Sequence, residues 1–202
     1  MSELPRDLAR IAQAIAETGY CVAEDFLPSQ PVRALGEELQ RAWEAGSFHL
    51  AGVGAAAARR PEVRGDHILW LDPPAVSAAQ RRCLERFERL RLALNRELQL
   101  GLFEFECHFA LYPPGAFYRR HLDRLSSDAR RTLSCVLYLN QNWRAEDGGA
   151  LRLYMQSGGQ PQTLDLLPQG GSLALFLSDR FEHEVLPARR NRLSLTGWFL
   201  RR

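Results

Sequence analysis

The chain has 202 residues, a formal net charge of +2 and a hydrophobic fraction of 46%. This length and composition suit one domain over residues 1–202, and so small a charge does not indicate a nucleic-acid partner. Because no apolar run approaches the ~18 residues of a membrane span, we expect a cytoplasmic protein without a membrane partner.

Cysteine and arginine usage indicate the compartment and the source. Cys21, Cys83, Cys107 and Cys135 stand far apart, without the close pairs of a zinc site. This spacing predicts reduced thiols rather than a disulfide framework. All 26 basic residues are arginine, which indicates a GC-rich, bacterial genome.

Three amphipathic helices are predicted in the first hundred residues. The first occupies residues 1–18, and the second begins at Pro28–Ser29 and ends at Gly46. Ser77 and Gln80 form a capping-box pattern that opens the third. The apolar stripes that we expect to face the core are Leu4, Leu8, Ile11 and Ile15; Val32, Leu35, Leu39, Ala42 and Trp43; and Leu84, Phe87, Leu90, Leu94 and Leu98.

The segment 48–70, between the second and third helices, combines two characters. Its first half is rich in glycine and alanine and predicts a mobile loop. Its second half predicts a strand from about Asp66 to Leu71.

From Phe103 onward the apolar pattern has the period of a strand. The stretch "FEFECHFALY" alternates and places Phe103, Phe105, Cys107, Phe109 and Leu111 on one face. Seven more strands are predicted near 117–123, 131–140, 150–155, 163–167, 172–177, 181–187 and 192–199. Glycine- and proline-rich turns separate them, so we expect a mainly β fold, a jelly roll of about eight strands with the helices packed on the sheet.

The stretch "YRRHLDR" carries the first indication of chemistry. His121 and Asp123 are two residues apart at the end of a predicted strand, so both side chains point to one face. A chance H-x-D is expected roughly 0.2 times in this composition, and a strand-end salt bridge is an equally open interpretation.

A second histidine, His183 in "RFEHEVLP", favours a metal site. Two histidines and one carboxylate form the facial triad of non-haem Fe(II) oxygenases, although an isolated strand histidine is more often a hydrogen-bonded core residue. The presence of Asp123 argues against a halogenase, and position 187 lacks the second histidine of a zinc protease.

The last predicted strand, "RLSLTGWF", has a polar face formed by Arg192, Ser194, Thr196 and Trp198. Such a face suits either an outer surface or an interior that holds an anion. A tight turn at "PARRN" would pair this strand with that of His183 and place Arg192 beside the metal, with Arg189 and Arg190 solvated in the turn. Because guanidinium binds carboxylate through paired hydrogen bonds, Arg192 indicates a site for 2-oxoglutarate.

Five segments carry a family resemblance: "VRGDHILWL" (63–71), "ALYPPGAFYRRHLD" (110–123), "CVLYLNQNW" (135–143), "GGALRLY" (148–154) and "LFLSDRFEHEVLPA" (175–188). In this order and spacing they resemble the 2-oxoglutarate- and Fe(II)-dependent prolyl hydroxylases that modify hypoxia-inducible factor, and their bacterial relatives. The resemblance covers about residues 63–199 and implies a double-stranded β-helix core.

The resemblance also implies a role for individual residues, together with Fe(II), 2-oxoglutarate and O2, and with ascorbate as a stimulating reductant. The implied iron ligands are His121, Asp123 and His183; the implied 2-oxoglutarate residues are Arg192, Tyr138, Tyr112, Leu151, Thr196 and Trp198; and the implied substrate-side residues are Arg64, Asp66, Trp70 and Arg131. Asp66 and Arg131 are expected to form a pair that ties the loop to the barrel.

The activity that the resemblance implies is hydroxylation of a prolyl residue in a protein, with release of succinate and CO2. A component of the translation machinery is the candidate substrate. Two alternatives stay open: an oxygenase of a free amino acid or other small molecule, and a jelly-roll module that binds a ligand without turnover. The chain ends soon after the last strand, so we expect it to lack the C-terminal helix that helps to hold a long peptide in the animal enzymes.

Overall fold

The computed structural model describes residues 5–52, 58–72, 75–123 and 129–202. The helices of these residues are α1 (Arg6–Thr18), α2 (Ser29–Glu44) and α3 (Ala78–Leu98), with a 3-10 turn at Ala145–Asp147. The strands are β1 (Tyr20–Ala23), β2 (His49–Leu50), β3 (His67–Trp70), β4 (Leu102–Tyr112), β5 (Tyr118–His121), β6 (Arg131–Tyr138), β7 (Leu151–Ser157), β8 (Gln160–Leu166), β9 (Leu173–Leu177), β10 (His183–Val185) and β11 (Arg192–Arg201).

Two antiparallel sheets face each other. The larger has the order β1-β9-β6-β11-β4-β3-β2, and the smaller has the order β5-β10-β7-β8. One buried cluster joins Tyr112 and Tyr138 of the larger sheet to Leu151 and Val185 of the smaller. The predicted mainly β architecture of eight core strands is therefore confirmed, and the space between the sheets is where a site can form.

The helices cover the outer face of the larger sheet. A second buried cluster packs Leu8, Leu35 and Phe87 of the three helices against Phe109 and Leu195 of the sheet. The capping box is confirmed, because the Gln80 amide donates to Ser77 Oγ and the Gln80 side chain accepts from the Ser77 amide. Helix α2 ends at Glu44, two residues before the predicted end, and Leu4 lies outside the described residues.

The assignment of one residue to a strand face was wrong. Phe103 is 56% exposed, whereas Leu102 is 2% exposed. The pairing of β4 with β11 shifts between Leu200 and Arg201, so that Phe103 becomes an extra residue in β4. Such a bulge turns the side chain outward, and Phe103 packs against the Arg202 guanidinium instead, 4.1 Å from the ring centre.

The predicted pairing of the His183 strand with the last strand was also wrong. Strand β10 pairs with β5 and β7 in the smaller sheet, whereas β11 pairs with β4 and β6 in the larger. The segment between them crosses from one sheet to the other. Backbone hydrogen bonds hold it there: the Gly115 amide donates to the Ala188 carbonyl at 2.7 Å, and the Gly149 amide to the Pro187 carbonyl at 3.0 Å.

The crossing segment contains Arg189 and Arg190, which were both predicted to be solvated. Arg189 is exposed as predicted, but Arg190 is only half-exposed. Its Nε lies 3.0 Å from a carboxylate oxygen of Asp147, and its guanidinium lies over the Trp143 ring at 4.3 Å. Arg190 therefore anchors the crossing segment.

Strands β1 and β2, which are four and two residues long, were not predicted. All four cysteines are free thiols, as expected. Across the residues that the structure describes, we find no helix that is long and apolar enough to cross a membrane.

Candidate active site

Three predicted ligands meet between the sheets. His121 ends β5, Asp123 follows two residues later, and His183 opens β10 directly opposite His121 in the strand pairing. One ligand atom from each residue can be chosen such that all three lie within 4.8 Å of one another. We call His121, Asp123 and His183 the triad.

The hydrogen bonds of the two imidazoles orient them for a metal. His121 Nδ1 lies 2.7 Å from the Arg119 carbonyl oxygen, and His183 Nδ1 lies 3.1 Å from that of Phe181. Because a carbonyl oxygen only accepts, each Nδ1 carries a proton, and in the neutral ring the lone pair is then on Nε2. A partner that fixes the tautomer in this way is usual for a metal-binding histidine.

Burial and the neighbouring groups shift the pKa values of His183 and Asp123. Burial lowers the pKa of His183 to about 4, against the opposing charge of Asp123. Burial by itself would raise the pKa of Asp123, but the two imidazoles and a hydrogen bond from Ser134 hold it well below its usual range. Each Nε2 lies 3.5 Å from an Asp123 carboxylate oxygen. Two imidazole nitrogens and one carboxylate oxygen that converge in this way form a set of ligands that a divalent cation takes, so the triad fits Fe(II).

Two serines hold the carboxylate of the triad. Ser134 Oγ donates to Asp123 Oδ2 at 2.6 Å and lies 2.9 Å from Ser178 Oγ. Ser134 is buried and shares a face of β6 with Val136 and Tyr138, which lie between the two sheets. Ser178 was missed because it follows β9 in a loop, where no periodic pattern marks it.

The triad lies in a cavity of about 500 Å³ that extends to Arg192. Its wall includes Tyr112, Leu151, Thr196 and Trp198, four of the residues predicted to surround 2-oxoglutarate. The polar face of the last strand therefore lines the interior. Of the two interpretations that the sequence left open, the outer surface is wrong and the interior is right.

Arg192 is a buried cation with a free donor. Its side chain is 1% exposed, and its Nε donates to the Gly149 carbonyl at 2.8 Å. Within the described residues, Arg192 Nη2 and the Tyr138 hydroxyl have no hydrogen-bond partner. Burying such donors unpaired is unfavourable. A ligand carboxylate that accepts from both would remove the penalty, so this end of the cavity fits 2-oxoglutarate.

Gly149 makes this placement possible. Its backbone has a φ of +66°, and a Cβ there would lie 3.1 Å from Arg192 Cδ and 3.2 Å from Ala188 Cβ. Arg192 therefore reaches the cavity although its strand does not pair with that of His183. Arg192 lies in the same cavity as the triad, as predicted, but not through the predicted pairing of its strand with the strand of His183.

The expected pair of Asp66 with Arg131 is not formed. Asp66 is fully buried and accepts two hydrogen bonds from Arg64, at 2.7 and 2.6 Å. Arg131 instead lies 2.9 Å from Glu106 Oε1 and covers the Trp198 ring at 3.6 Å. Arg64 and Asp66 are two residues apart and point to one side of an extended segment, which makes the local pair the easier one to form.

All four residues proposed for the substrate side nevertheless line the cavity: Arg64, Asp66, Trp70 and Arg131. Trp70 is 44% exposed at the rim.

His108 is a cavity residue that the sequence did not reveal. It is 3% exposed and lies between Trp70 and Trp198, with ring centres 4.8 and 5.6 Å away. Burial lowers its pKa to about 3. A lone histidine in an apolar strand carries no motif, although its even spacing from Tyr112 places both on the inner face of β4.

Comparison with known proteins identifies the family. The family model described as the 2OG-Fe(II) oxygenase superfamily matches residues 107–200. The crystal structure of a Pseudomonas putida prolyl-4-hydroxylase is 48% identical, with a TM-score of 0.87 over 96% of this chain and 99% of that chain. The chain belongs to the prolyl hydroxylase family of 2OG-Fe(II) oxygenases.

Two further family members show the breadth of the similarity. A Trichoplax adhaerens prolyl hydroxylase, solved in complex with a peptide fragment of the hypoxia-inducible factor oxygen degradation domain, is 26% identical, with a TM-score of 0.88 over 96% of this chain and 91% of that one. Human prolyl hydroxylase EGLN3 is 30% identical over 95% of this chain and 82% of its own length. The chain spans between 28% and 58% of the first curated relatives that it matches. Family membership implies Fe(II), 2-oxoglutarate and O2 as the reacting groups.

Proposed function

We propose that this protein is a 2-oxoglutarate- and O2-dependent Fe(II) dioxygenase that hydroxylates a prolyl residue in a protein and releases succinate and CO2. Residues 1–202 are proposed to act as a single oxygenase domain. One observation carries the proposal: three convergent ligand atoms share a cavity with a buried arginine whose donor is unpaired.

The triad would hold Fe(II) through His121 Nε2, His183 Nε2 and an Asp123 oxygen. Three protein ligands on one face leave the remaining positions open, which is the arrangement of non-haem iron oxygenases. When bound, iron and 2-oxoglutarate together supply the oxidising chemistry, which protein side chains cannot provide. The Arg119 and Phe181 carbonyls keep the imidazole lone pairs directed at the metal position.

At the deep end, Arg192 and Tyr138 would bind the distal carboxylate of 2-oxoglutarate. The guanidinium offers Nη2, and burial raises the pKa of Tyr138 to about 12, so its hydroxyl remains a donor. Tyr112, Leu151, Thr196 and Trp198 form walls that exclude bulk water from the reacting groups.

The rim of the cavity supports a protein substrate. Leu50, Trp70 and Leu122 line the cavity and are 40%, 44% and 37% exposed. Exposed apolar side chains gathered at a cavity rim are typical of a binding surface, and a peptide chain covers such a rim better than a free amino acid does. The Trichoplax relative was solved with a peptide bound, which supports the same choice. A protein of the translation machinery is the candidate substrate, with ascorbate as a stimulating reductant.

Two measurements test this function. Purified protein supplied with Fe(II), 2-oxoglutarate and O2 should release succinate, and should release more with a whole-protein extract from a deletion strain than with free proline. Mass spectrometry of the deletion strain against its parent should show a prolyl peptide that has lost the mass of one oxygen atom. Stimulation by small molecules only would favour the small-molecule oxygenase, and succinate release under no condition would favour the binding module.

A further inference from the structure

Tyr118 connects the substrate side of the cavity to the triad. Its ring stacks on the His121 imidazole, with ring centres 3.6 Å apart and planes inclined by 19°. The guanidinium carbon of Arg64 lies over the same ring, 4.2 Å from its centre. Two planar groups cannot share one ring face at these distances, so Tyr118 lies between Arg64 and His121.

A bulge in β5 makes the stack possible. Residues three apart in a regular strand point to opposite faces. In the pairing of β5 with β10, His121 is opposite His183 and Tyr118 is opposite Val185, so three steps along β5 match two along β10. The extra residue turns Tyr118 and His121 toward the same side, which is how bulges redirect side chains near active sites.

Backbone hydrogen bonds hold the segment around Arg64 against the region of β5 that carries Tyr118. The Gly65 amide donates to the Phe117 carbonyl, and the Arg119 amide donates to the Val63 carbonyl, both at 2.9 Å. The Arg64 side chain is fixed by its two hydrogen bonds to the fully buried Asp66. A displacement of Arg64 therefore acts directly on one face of the Tyr118 ring.

We propose that Tyr118 is a positioning residue that sets the plane of the His121 imidazole. It also couples this imidazole to the Arg64–Asp66 pair on the proposed substrate side of the cavity. The inference rests on the proposed function, because it assigns the triad to a metal. The Arg119 carbonyl restrains one atom of the imidazole, and the Tyr118 ring restrains its plane. Groups that orient a metal ligand typically contribute 10- to 100-fold to metal affinity.

Titration of the metal-free full chain with Co(II) alone, followed by calorimetry and by the visible absorption of the bound ion, tests the stack. Tyr118→Leu removes the ring and should weaken Co(II) binding about tenfold or more. Tyr118→Phe keeps the ring and should bind within about twofold of the wild type, the range of a near-neutral substitution.

Tyr154 offers a matched control. It lies in the same sheet under the Arg120 guanidinium, 3.8 Å from the ring centre, but no imidazole stacks on it among the residues described. Tyr154→Leu should leave Co(II) affinity unchanged. Equal weakening by Tyr154→Leu and Tyr118→Leu would indicate a general loss of packing and would overturn the proposal.

The coupling to the loop has its own measurement. Arg64→Leu should weaken Co(II) binding in the wild-type background and should have little further effect in Tyr118→Leu, because residues that act through one contact are non-additive. If Tyr118→Leu does not fold, the Co(II) affinity of Arg64→Leu tests the coupling by itself. An affinity equal to that of the wild type then refutes the coupling.

The outcomes separate this inference from the function on which it rests. If wild-type protein binds Co(II), His121→Ala abolishes that binding and Tyr118→Leu does not weaken it, the positioning role is refuted while the triad stands. If the wild type itself does not bind Co(II), or His121→Ala binds equally well, the triad assignment fails and the inference fails with it.

Discussion

Replacing Tyr138 by phenylalanine removes a single hydroxyl next to Arg192 and leaves the ring in place. The side chain is 1% exposed, and its ring centre lies 5.2 Å from the Arg192 guanidinium carbon. In the described part of the protein the hydroxyl has no hydrogen-bond partner. If that hydroxyl is reserved for 2-oxoglutarate, its removal should have opposite effects on the unliganded and the liganded protein.

The two effects can be estimated from the same geometry. A buried donor without a partner costs about 1–3 kcal/mol, so the free energy of unfolding of the unliganded Tyr138→Phe protein should be unchanged or higher. In the complex, the variant loses a hydrogen bond to a charged carboxylate, worth about 1.5–3 kcal/mol. At about 1.4 kcal/mol for each factor of ten, the dissociation constant of 2-oxoglutarate should rise about 10- to 150-fold.

Urea unfolding of the metal-free protein and calorimetric titration of the Co(II)-loaded protein with 2-oxoglutarate measure the two effects. Tyr154→Phe is the matched control, because its hydroxyl donates to Glu184 Oε1 at 2.7 Å in the unliganded protein. That variant should lose a little stability and bind 2-oxoglutarate normally. A Tyr138→Phe protein that is destabilised and binds 2-oxoglutarate as well as the wild type would show that this hydroxyl has no role in the ligand site.

Alanine at any position of the triad should abolish succinate release with micromolar Fe(II), because two ligands hold a weakly bound divalent ion poorly; turnover within a few-fold of wild type would disprove the assignment. Asp66→Ala should destabilise the protein by about 3–5 kcal/mol, because it leaves the mostly buried Arg64 side chain without its acidic partner. In urea-unfolding double-mutant cycles Asp66→Ala and Arg64→Ala should be strongly non-additive, whereas Asp66→Ala and Arg131→Ala should add to within about 0.5 kcal/mol; the reverse would restore the expected Asp66–Arg131 pair. His108→Phe should make the protein less sensitive to acid, because burial lowers the pKa of His108 to about 3. The stability gained from its neutral ring is complete above the unfolded pKa of about 6.5 and is lost as the pH falls toward the folded pKa. Between about pH 7.5 and 5 the unfolding free energy of wild type should therefore fall about 2 kcal/mol further than that of the variant, and parallel pH profiles would contradict this.

The sequence by itself determined the features that depend on neighbours along the chain. The capping box at Ser77, the helical stripes and the period of the strands are local properties, and within the described residues they were predicted correctly apart from Phe103. His121 and Asp123 share a face because they are two residues apart after a strand. The sequence also predicted the polar face of the last strand, but not whether that face contacts solvent or lines the interior.

The tertiary structure decided which strands and side chains meet. Many strand pairings satisfy backbone hydrogen bonds about equally well, so the sequence could not show that β10 and β11 join different sheets. The partner of a buried charge depends on distances across the fold, which is why Asp66 bonds to Arg64 and Arg131 to Glu106. The bulge that stacks Tyr118 on His121 could not be predicted from the alternation of side chains along β5 either. A bulge is one extra residue relative to the paired strand, so it can be recognised only once that pairing is known.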